Sequence, residues 1–79
     1  MDKHEFEQFV TEHGKDILRF CRMNAGSTER GNELYQDTMV KLLEKQKKLD
    51  AAQNIKSYAM QTAILLWKAR KIHRRSRHF

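Results

Sequence analysis

The residue types that could bind a metal ion or act as a nucleophile are few and widely spaced in this chain. Cys21 is the single cysteine, and the histidines are His4, His13, His73 and His78. Structural zinc sites need cysteines and histidines in close pairs, which this spacing does not offer. We therefore expect no metal site, and we expect Cys21 to be a small buried hydrophobic side chain.

Acidic side chains could act as general acids or bases, but their positions argue against an enzyme. A chain of 79 residues forms one small domain with a thin core and little room for a catalytic pocket. Its acids, among them Glu33, Asp37 and Glu44, lie mostly on the polar faces of predicted helices and do not converge. The sequence predicts a protein that is not an enzyme and needs no cofactor.

The clearest chemical signal is a block of positive charge at the C-terminal end. The net charge is +6, yet residues 1–67 hold ten Lys and Arg against all ten Asp and Glu. The excess lies in residues 68–79, which contain Lys68, Arg70, Lys71, Arg74, Arg75 and Arg77. Such a block is either a solvated chain end or a contact for phosphates, and its density favours a nucleic acid.

Two aromatic residues, Tyr58 and Trp67, precede or adjoin this basic block. They could offer stacking platforms for bases, as aromatic side chains do in proteins that bind single strands. Aromatic residues at helical spacing are more often part of a hydrophobic core. Both interpretations remain open from the residues alone.

The elements that must position these residues are predicted to be helices. Apolar residues recur at helical spacing in three runs, and a turn around Gly26 separates the first two runs. The predicted elements are a first helix at 1–24, a second at 28–48, a loop at 49–54 and a third at 55–76. In the second run, Leu34, Thr38 and Leu42 form an apolar stripe, with Leu43 beside it.

Three helices with short connections predict a compact, all-α, antiparallel three-helix bundle, with a four-helix version left open. Residues 1–79 form a single domain in this interpretation. No apolar stretch approaches the roughly 20 residues of a membrane span, and a lone cysteine cannot form an intramolecular disulfide. We therefore expect a cytoplasmic protein with no membrane partner.

The run ELYQDTMVKLL at residues 33–43 resembles the DLVQETFL(R/K)LW signature of extracytoplasmic-function sigma factors, in region 2 of the sigma-70 family. The surrounding order is similar as well. A Phe-rich first helix and a turn at Gly26 precede the run, and Asn54 to Tyr58 lead into Thr62-Ala63 and a basic end.

This resemblance implies a sigma-factor domain that binds core RNA polymerase and recognises and melts the promoter minus-ten element. The polymerase contact, with the clamp helices of the largest subunit, would fall on Glu33, Leu34, Gln36, Asp37 and Lys41. The contact with the non-template strand would fall on the loop and last helix, at Gln53, Asn54, Lys56, Ser57, Tyr58, Lys68, Arg70, Lys71, Arg74 and Arg75. The resemblance also implies an anti-sigma factor as a partner.

The chain departs from the family pattern at several positions. Ile64 and Leu65 stand where the family often has Arg-Asn, and Met39 and Leu43 replace its Phe and Trp. These departures bear on promoter sequence preference. Nothing in the 79 residues corresponds to the C-terminal domain that reads the minus-thirty-five element, so we expect an excised domain or a reduced relative.

Two other functions remain alternatives. The first is a generic basic helical module that binds DNA or RNA without polymerase, because the basic block alone supports it. The second is a protein-interaction bundle in which the second helix serves another partner.

Overall fold

A computed structural model of the chain describes the backbone of residues 1–50 and 54–77 and the side chains of residues 1–50 and 54–69. Within these ranges the α-helices are α1 (Lys3–Ala25), α2 (Thr28–Glu44) and α3 (Ile55–Arg77), with a short 3₁₀ turn at Gln46–Lys48 between α2 and α3. The prediction of an all-α three-helix bundle is confirmed.

Side chains at the helix ends explain where the helices begin and stop. Asp2 and Glu5 form a capping box, in which the Asp2 carboxylate accepts from the Glu5 N–H at 2.8 Å. The helix α1 ends at Gly26, whose φ of 78° is left-handed. Ser27 then caps α2 by accepting from the Arg30 N–H at 3.2 Å.

The second α-helix is shorter than the predicted 28–48. It stops at Glu44, and the chain tightens into the 3₁₀ turn that ends at the buried Leu49. The N–H groups of Lys48 and Leu49 both donate to the Lys45 carbonyl, so the tighter turn satisfies an acceptor at the helix end. Leu49 is buried in the core, as its place on one helical line with Leu34, Thr38 and Leu42 indicates, so this turn has a packing role.

Contacts between the helices show their directions. Near the connection between α1 and α2, Arg22 donates from Nε and Nη2 to Asn32 Oδ1 at 3.1 and 2.9 Å. Farther from that connection, Gly14 of α1 faces Tyr35 of α2. Lys45, at the end of α2, meets Tyr58 near the start of α3. Each helix is therefore antiparallel to the one before it.

The core is thin and lies where the three helices meet. Its fully buried side chains include Ile17, Leu34 and Leu42, and α3 contributes the small residues Ala59 and Ala63. Thr38 is also buried, and its hydroxyl donates to the Leu34 carbonyl at 2.8 Å. Small residues on α3 let that helix pack closely against the other two, and the larger Ile55 is buried at its start.

Candidate functional site

The outward side of α2 carries a ridge of exposed side chains, which we call the α2 outer face: Glu33, Gln36, Val40 and Leu43. Their spacing of three and four residues aligns them along one side of the helix. Val40 is 53% exposed and Leu43 is 55% exposed. Leu43, predicted to lie beside the apolar stripe, is therefore outside the core, and two apolar side chains face solvent on this ridge after two polar ones.

The residues predicted to bind polymerase do not all lie on this face. Leu34 is fully buried and its side chain serves the core, so its polymerase contact stays a prediction. Gln36 and Glu33 are exposed, and Asp37 is half-buried and engaged within the protein. Lys41 is exposed but turns toward α3, and its Nζ lies 3.7 Å from the Glu44 carboxylate.

The start of α3 is held in place by side-chain contacts. Asn54 caps the helix, because its side-chain oxygen accepts from the Ser57 N–H at 3.1 Å. Lys56 reaches back to α1, and its Nζ lies 2.9 Å from Asp16 Oδ2. The hydrogen bond and the charge of Lys56 lower the pKa of Asp16 below its ordinary value of 3.8. Ser57 is exposed beside them.

The two aromatic residues are both half-buried and pack against the core. Tyr58 keeps its hydroxyl at the surface, where it accepts from Lys45 Nζ at 3.4 Å. The core interpretation therefore holds for the body of both rings. Tyr58 additionally lines a surface groove, so part of it is available to a ligand.

This surface depression, which we call the α2–α3 groove, has a volume of about 240 Å³. It is lined by Lys41, Lys45, Tyr58, Gln61, Thr62, Leu65 and Leu66. Leu65 is 67% exposed at its edge. Lysine side chains from α2 thus face apolar and hydroxyl-bearing side chains of α3.

A second depression, the α1–α3 cavity, lies beside the start of α3 and has a volume of about 320 Å³. Its lining residues are Met1, Glu5, Gln8, Phe9, Glu12, His13, Asn54, Ile55 and Lys56. Two glutamates line it together with one lysine and the N-terminal ammonium of Met1, whose charges balance. The local charge is therefore less favourable to a phosphate than in the α2–α3 groove.

The basic block continues along α3. Lys68 is exposed, and the backbone of α3 is helical through Arg77. The predicted contacts at Gln53, Arg70, Lys71, Arg74 and Arg75 lie outside the residues whose side chains are described. The four basic residues among them still make the C-terminal half of α3 the most positive part of the chain.

Side chains that could bind a metal ion are not clustered in the part of the chain that the structure describes. No group of three or more His, Cys, Asp or Glu side chains there could hold a metal ion. Cys21 is fully buried, and this burial raises the pKa of its thiol. Helices long and apolar enough to cross a membrane are likewise not found within the described ranges.

Sequence reasoning missed several surface residues of these two sites: Val40 and Leu43 on the α2 outer face, and Lys45 and Leu65 in the α2–α3 groove. Leu43 lies beside the buried stripe in the helical pattern, and only the packing of α1 and α3 shows which leucines remain outside. For the groove, the sequence had singled out Lys41, Tyr58 and the apolar Leu65 separately, without indicating that they lie together.

The described part of the chain is a small helical bundle that has an exposed face on α2 and a third helix rich in basic residues. The family model described as Sigma-70 region 2 matches residues 9–78 of the chain. The chain therefore belongs to the sigma-70 region 2 family, which consists of transcription-initiation domains rather than enzymes. At family level its role is RNA polymerase binding and promoter melting. Neither the search of curated proteins nor the search of solved structures found a match.

Proposed function

We propose that this domain binds core RNA polymerase through the α2 outer face and binds the non-template strand of the promoter minus-ten element through α3 and the loop before it. The observation that carries the proposal is the joining, in one sigma-70 region 2 domain, of an exposed face on α2 with a basic third helix. The extracytoplasmic-function subtype rests on the motif at residues 33–43. Such a protein works in the cytoplasm.

The α2 outer face has the composition of a protein-binding surface. Interface centres bury apolar side chains, and polar or charged residues surround them. Val40 and Leu43 form the apolar part of this face, and Gln36 and Glu33 precede them along the ridge. The clamp helices of the largest polymerase subunit are the proposed partner. An anti-sigma factor that covers the same face would compete with polymerase.

The promoter side of the proposal depends on charge and on base contacts. Extruding a base from the duplex costs a few kcal/mol, which a protein offsets by holding the base and neutralising phosphates. The segment from Gln53 through Tyr58 is the proposed base-binding loop, and Lys68, Arg70, Lys71, Arg74 and Arg75 are the proposed phosphate contacts. Asn54, Lys56 and Ser57 belong to the same segment, where the first two also fix the start of α3.

The test is direct binding to purified core RNA polymerase by the double variant Gln36→Ala/Leu43→Ala. Both side chains are exposed, so the fold is retained, whereas Asp37 is engaged within the protein and is a poorer choice. We expect binding at least about tenfold weaker than that of the unmodified protein, as for residues at the centre of an interface.

The matched control is Gln8→Ala/Met23→Ala, which removes an exposed glutamine and an exposed apolar side chain from α1. It is expected to bind polymerase normally. Equal polymerase binding by both double variants would reject the α2 outer face as the interface. If neither the variants nor the unmodified protein bound polymerase, although all of them bound nucleic acid, the domain would be a generic nucleic-acid-binding module.

A further inference from the structure

The side of the bundle on which α1 and α3 meet carries exposed and half-buried apolar side chains. The ion pair between Asp16 and Lys56, at 2.9 Å, marks this side on both helices. Met23 lies two turns beyond Asp16 on the same side of α1 and is 76% exposed. On α3, three half-buried apolar side chains follow Lys56 at steps of four, four and three residues: Met60, Ile64 and Trp67. We call these four side chains the α1–α3 strip.

The α1–α3 strip has the composition of a protein interface. Tryptophan and methionine are enriched at such interfaces, and methionine adapts its shape to a partner. Ile64 stands where the family often has arginine, so the apolar middle of the strip is a feature of this chain. The strip therefore favours contact with another protein surface.

Opposite charges lie beyond the two ends of the strip. On α1, Glu12 lies one turn before Asp16, lines the α1–α3 cavity and has a side chain that is 71% exposed. On α3, the helical backbone continues past Trp67, and the next two positions of the same row, at steps of four and three residues, hold Lys71 and Arg74. One end of the strip is therefore acidic, and the other end is basic.

We infer that the chain pairs with a second copy of itself through the α1–α3 strip, with the two α3 helices antiparallel and a two-fold axis beside Ile64. A two-fold interface joins the same surface of both copies, so that surface must be complementary to itself. An apolar strip between an acidic and a basic end meets this condition in the antiparallel arrangement, whereas a parallel one would bring the two basic ends together. Such pairing is independent of polymerase and of promoter DNA.

The helical rise sets the register of this pair. At about 1.5 Å per residue, Lys71 and Arg74 lie about 10 and 15 Å beyond Ile64 along α3. Since α1 and α3 run in the same direction and Asp16 is level with the first turn of α3, Asp16 lies about 12 Å before Ile64, and Glu12 lies about 18 Å before it. The two-fold axis therefore places the two cations of each copy near the two acids of the other copy, with the strips in contact between them.

The acidic end of the strip distinguishes a second copy from a nucleic acid. Residues 1–16 hold five acidic residues against two lysines, so this end repels phosphates. Asp16 already pairs with Lys56, yet its side chain is 54% exposed and can accept a second cation. Pairing also covers Lys71 and Arg74, two of the proposed phosphate contacts. Self-association and nucleic-acid binding would therefore compete.

The first experiment measures the mass of the full chain by sedimentation velocity at protein concentrations from about 1 µM to about 1 mM, the range in which weak complexes form. We expect a reversible equilibrium between monomer and dimer. Met23→Ala/Ile64→Ala should weaken the dimer at least about tenfold, as for side chains at the centre of an interface. The matched control is Val40→Ala/Leu43→Ala, which removes two exposed apolar side chains from the α2 outer face and should leave the equilibrium unchanged. Circular dichroism checks that each variant remains helical.

A second experiment exchanges the charges across the interface. Glu12→Lys and Arg74→Glu should each weaken the dimer about tenfold, because each brings like charges together at two symmetry-related contacts. The double variant Glu12→Lys/Arg74→Glu should regain the unmodified affinity, since the opposite charges meet again. Its control, Glu7→Lys/Arg74→Glu, has the same net charge but changes an exposed acid on another side of α1, so its dimer should stay weak.

Three results would overturn the inference. The first is a monomer at every concentration, and the second is equal weakening of the dimer by the strip variant and by the α2 control. The third is a charge-exchange double variant whose dimer stays as weak as that of its control. Polymerase binding by Gln36→Ala/Leu43→Ala is measured separately, so failure of the inference is distinguished from failure of the proposed function.

Discussion

The ion pair between Asp16 and Lys56 links α1 to the start of α3. Lys56 Nζ lies 2.9 Å from Asp16 Oδ2, and both side chains are partly exposed. Lys56 is therefore held against α1 while remaining accessible to solvent. A phosphate that contacts Lys56 must compete with a carboxylate that is already in place.

The Lys56→Gln variant should return the pKa of Asp16 toward its ordinary value of 3.8, because it removes both the hydrogen bond and the charge that lower it. A carboxyl whose pKa is lowered on folding adds stability above its ordinary pKa. That contribution disappears as the pH falls through the lowered value. NMR titration of the Asp16 carboxyl carbon in both proteins measures the change.

Lys56→Arg keeps the positive charge and serves as the control, since Asp16 should keep its lowered pKa there. If Asp16 titrated identically in the Lys56→Gln variant and in the unmodified protein, the ion pair would not persist in solution. The effect on global stability is expected to be small, because water screens an ion pair between exposed side chains.

At the scale of the helices, the contact between α1 and α2 depends on one glycine. Gly31 is buried against Arg22, and a Cβ at this position would lie 2.8 Å from the Arg22 backbone nitrogen and closer still to its Cα. Backbone atoms cannot move aside as a side chain can. The absence of a side chain at Gly31 therefore sets how closely the two helices approach.

Gly31→Ala should lower the free energy of unfolding by about 1–3 kcal/mol, because α1 and α2 must separate to admit the methyl group. Urea denaturation followed by circular dichroism measures the change. Gly14→Ala is the control, since a Cβ there would meet only the Tyr35 hydroxyl at 3.1 Å and Val10 Cγ1 at 3.6 Å. Alanine also favours a helix over glycine. Equal destabilisation by both substitutions would contradict the close-packing argument.

At the scale of the whole molecule, charge is segregated along the chain. Residues 1–67 are electrically balanced, and all of the net charge of +6 lies in residues 68–79. Since α3 runs from Ile55 to Arg77, the positive charge extends along a helix whose first half packs in the core. The excess positive charge thus lies at the C-terminal end of the sequence, whereas the α2 outer face lies at residues 33–43.

Neutralising Arg70, Lys71, Arg74 and Arg75 together should weaken nucleic-acid binding for every sequence and flatten its salt dependence. The slope of log affinity against log salt should fall by up to about one unit for each lost phosphate contact. Fluorescence anisotropy at a series of salt concentrations measures it. The control variant neutralises four exposed cations of α1 and α2, so its net charge changes equally: Lys3, Lys15, Arg19 and Arg30. An identical slope change in that control would mean that overall charge, not the basic end, governs binding.

The sequence by itself determined the fold class and the location of the charge. Helical periodicity and the turn at Gly26 depend on residues close together in the chain, so local pattern is sufficient to predict them. The motif at residues 33–43 indicated the sigma-70 region 2 family, which the family match confirmed.

Only the tertiary structure decided which side chains of a helix face solvent. Leu34 and Leu43 are both leucines on α2, yet one is fully buried and the other is 55% exposed, because α1 and α3 cover only one side of the helix. The groove between Lys41, Lys45 and Leu65 likewise joins residues that are distant in sequence. Periodicity describes one helix at a time, whereas a binding surface depends on how neighbouring helices cover it.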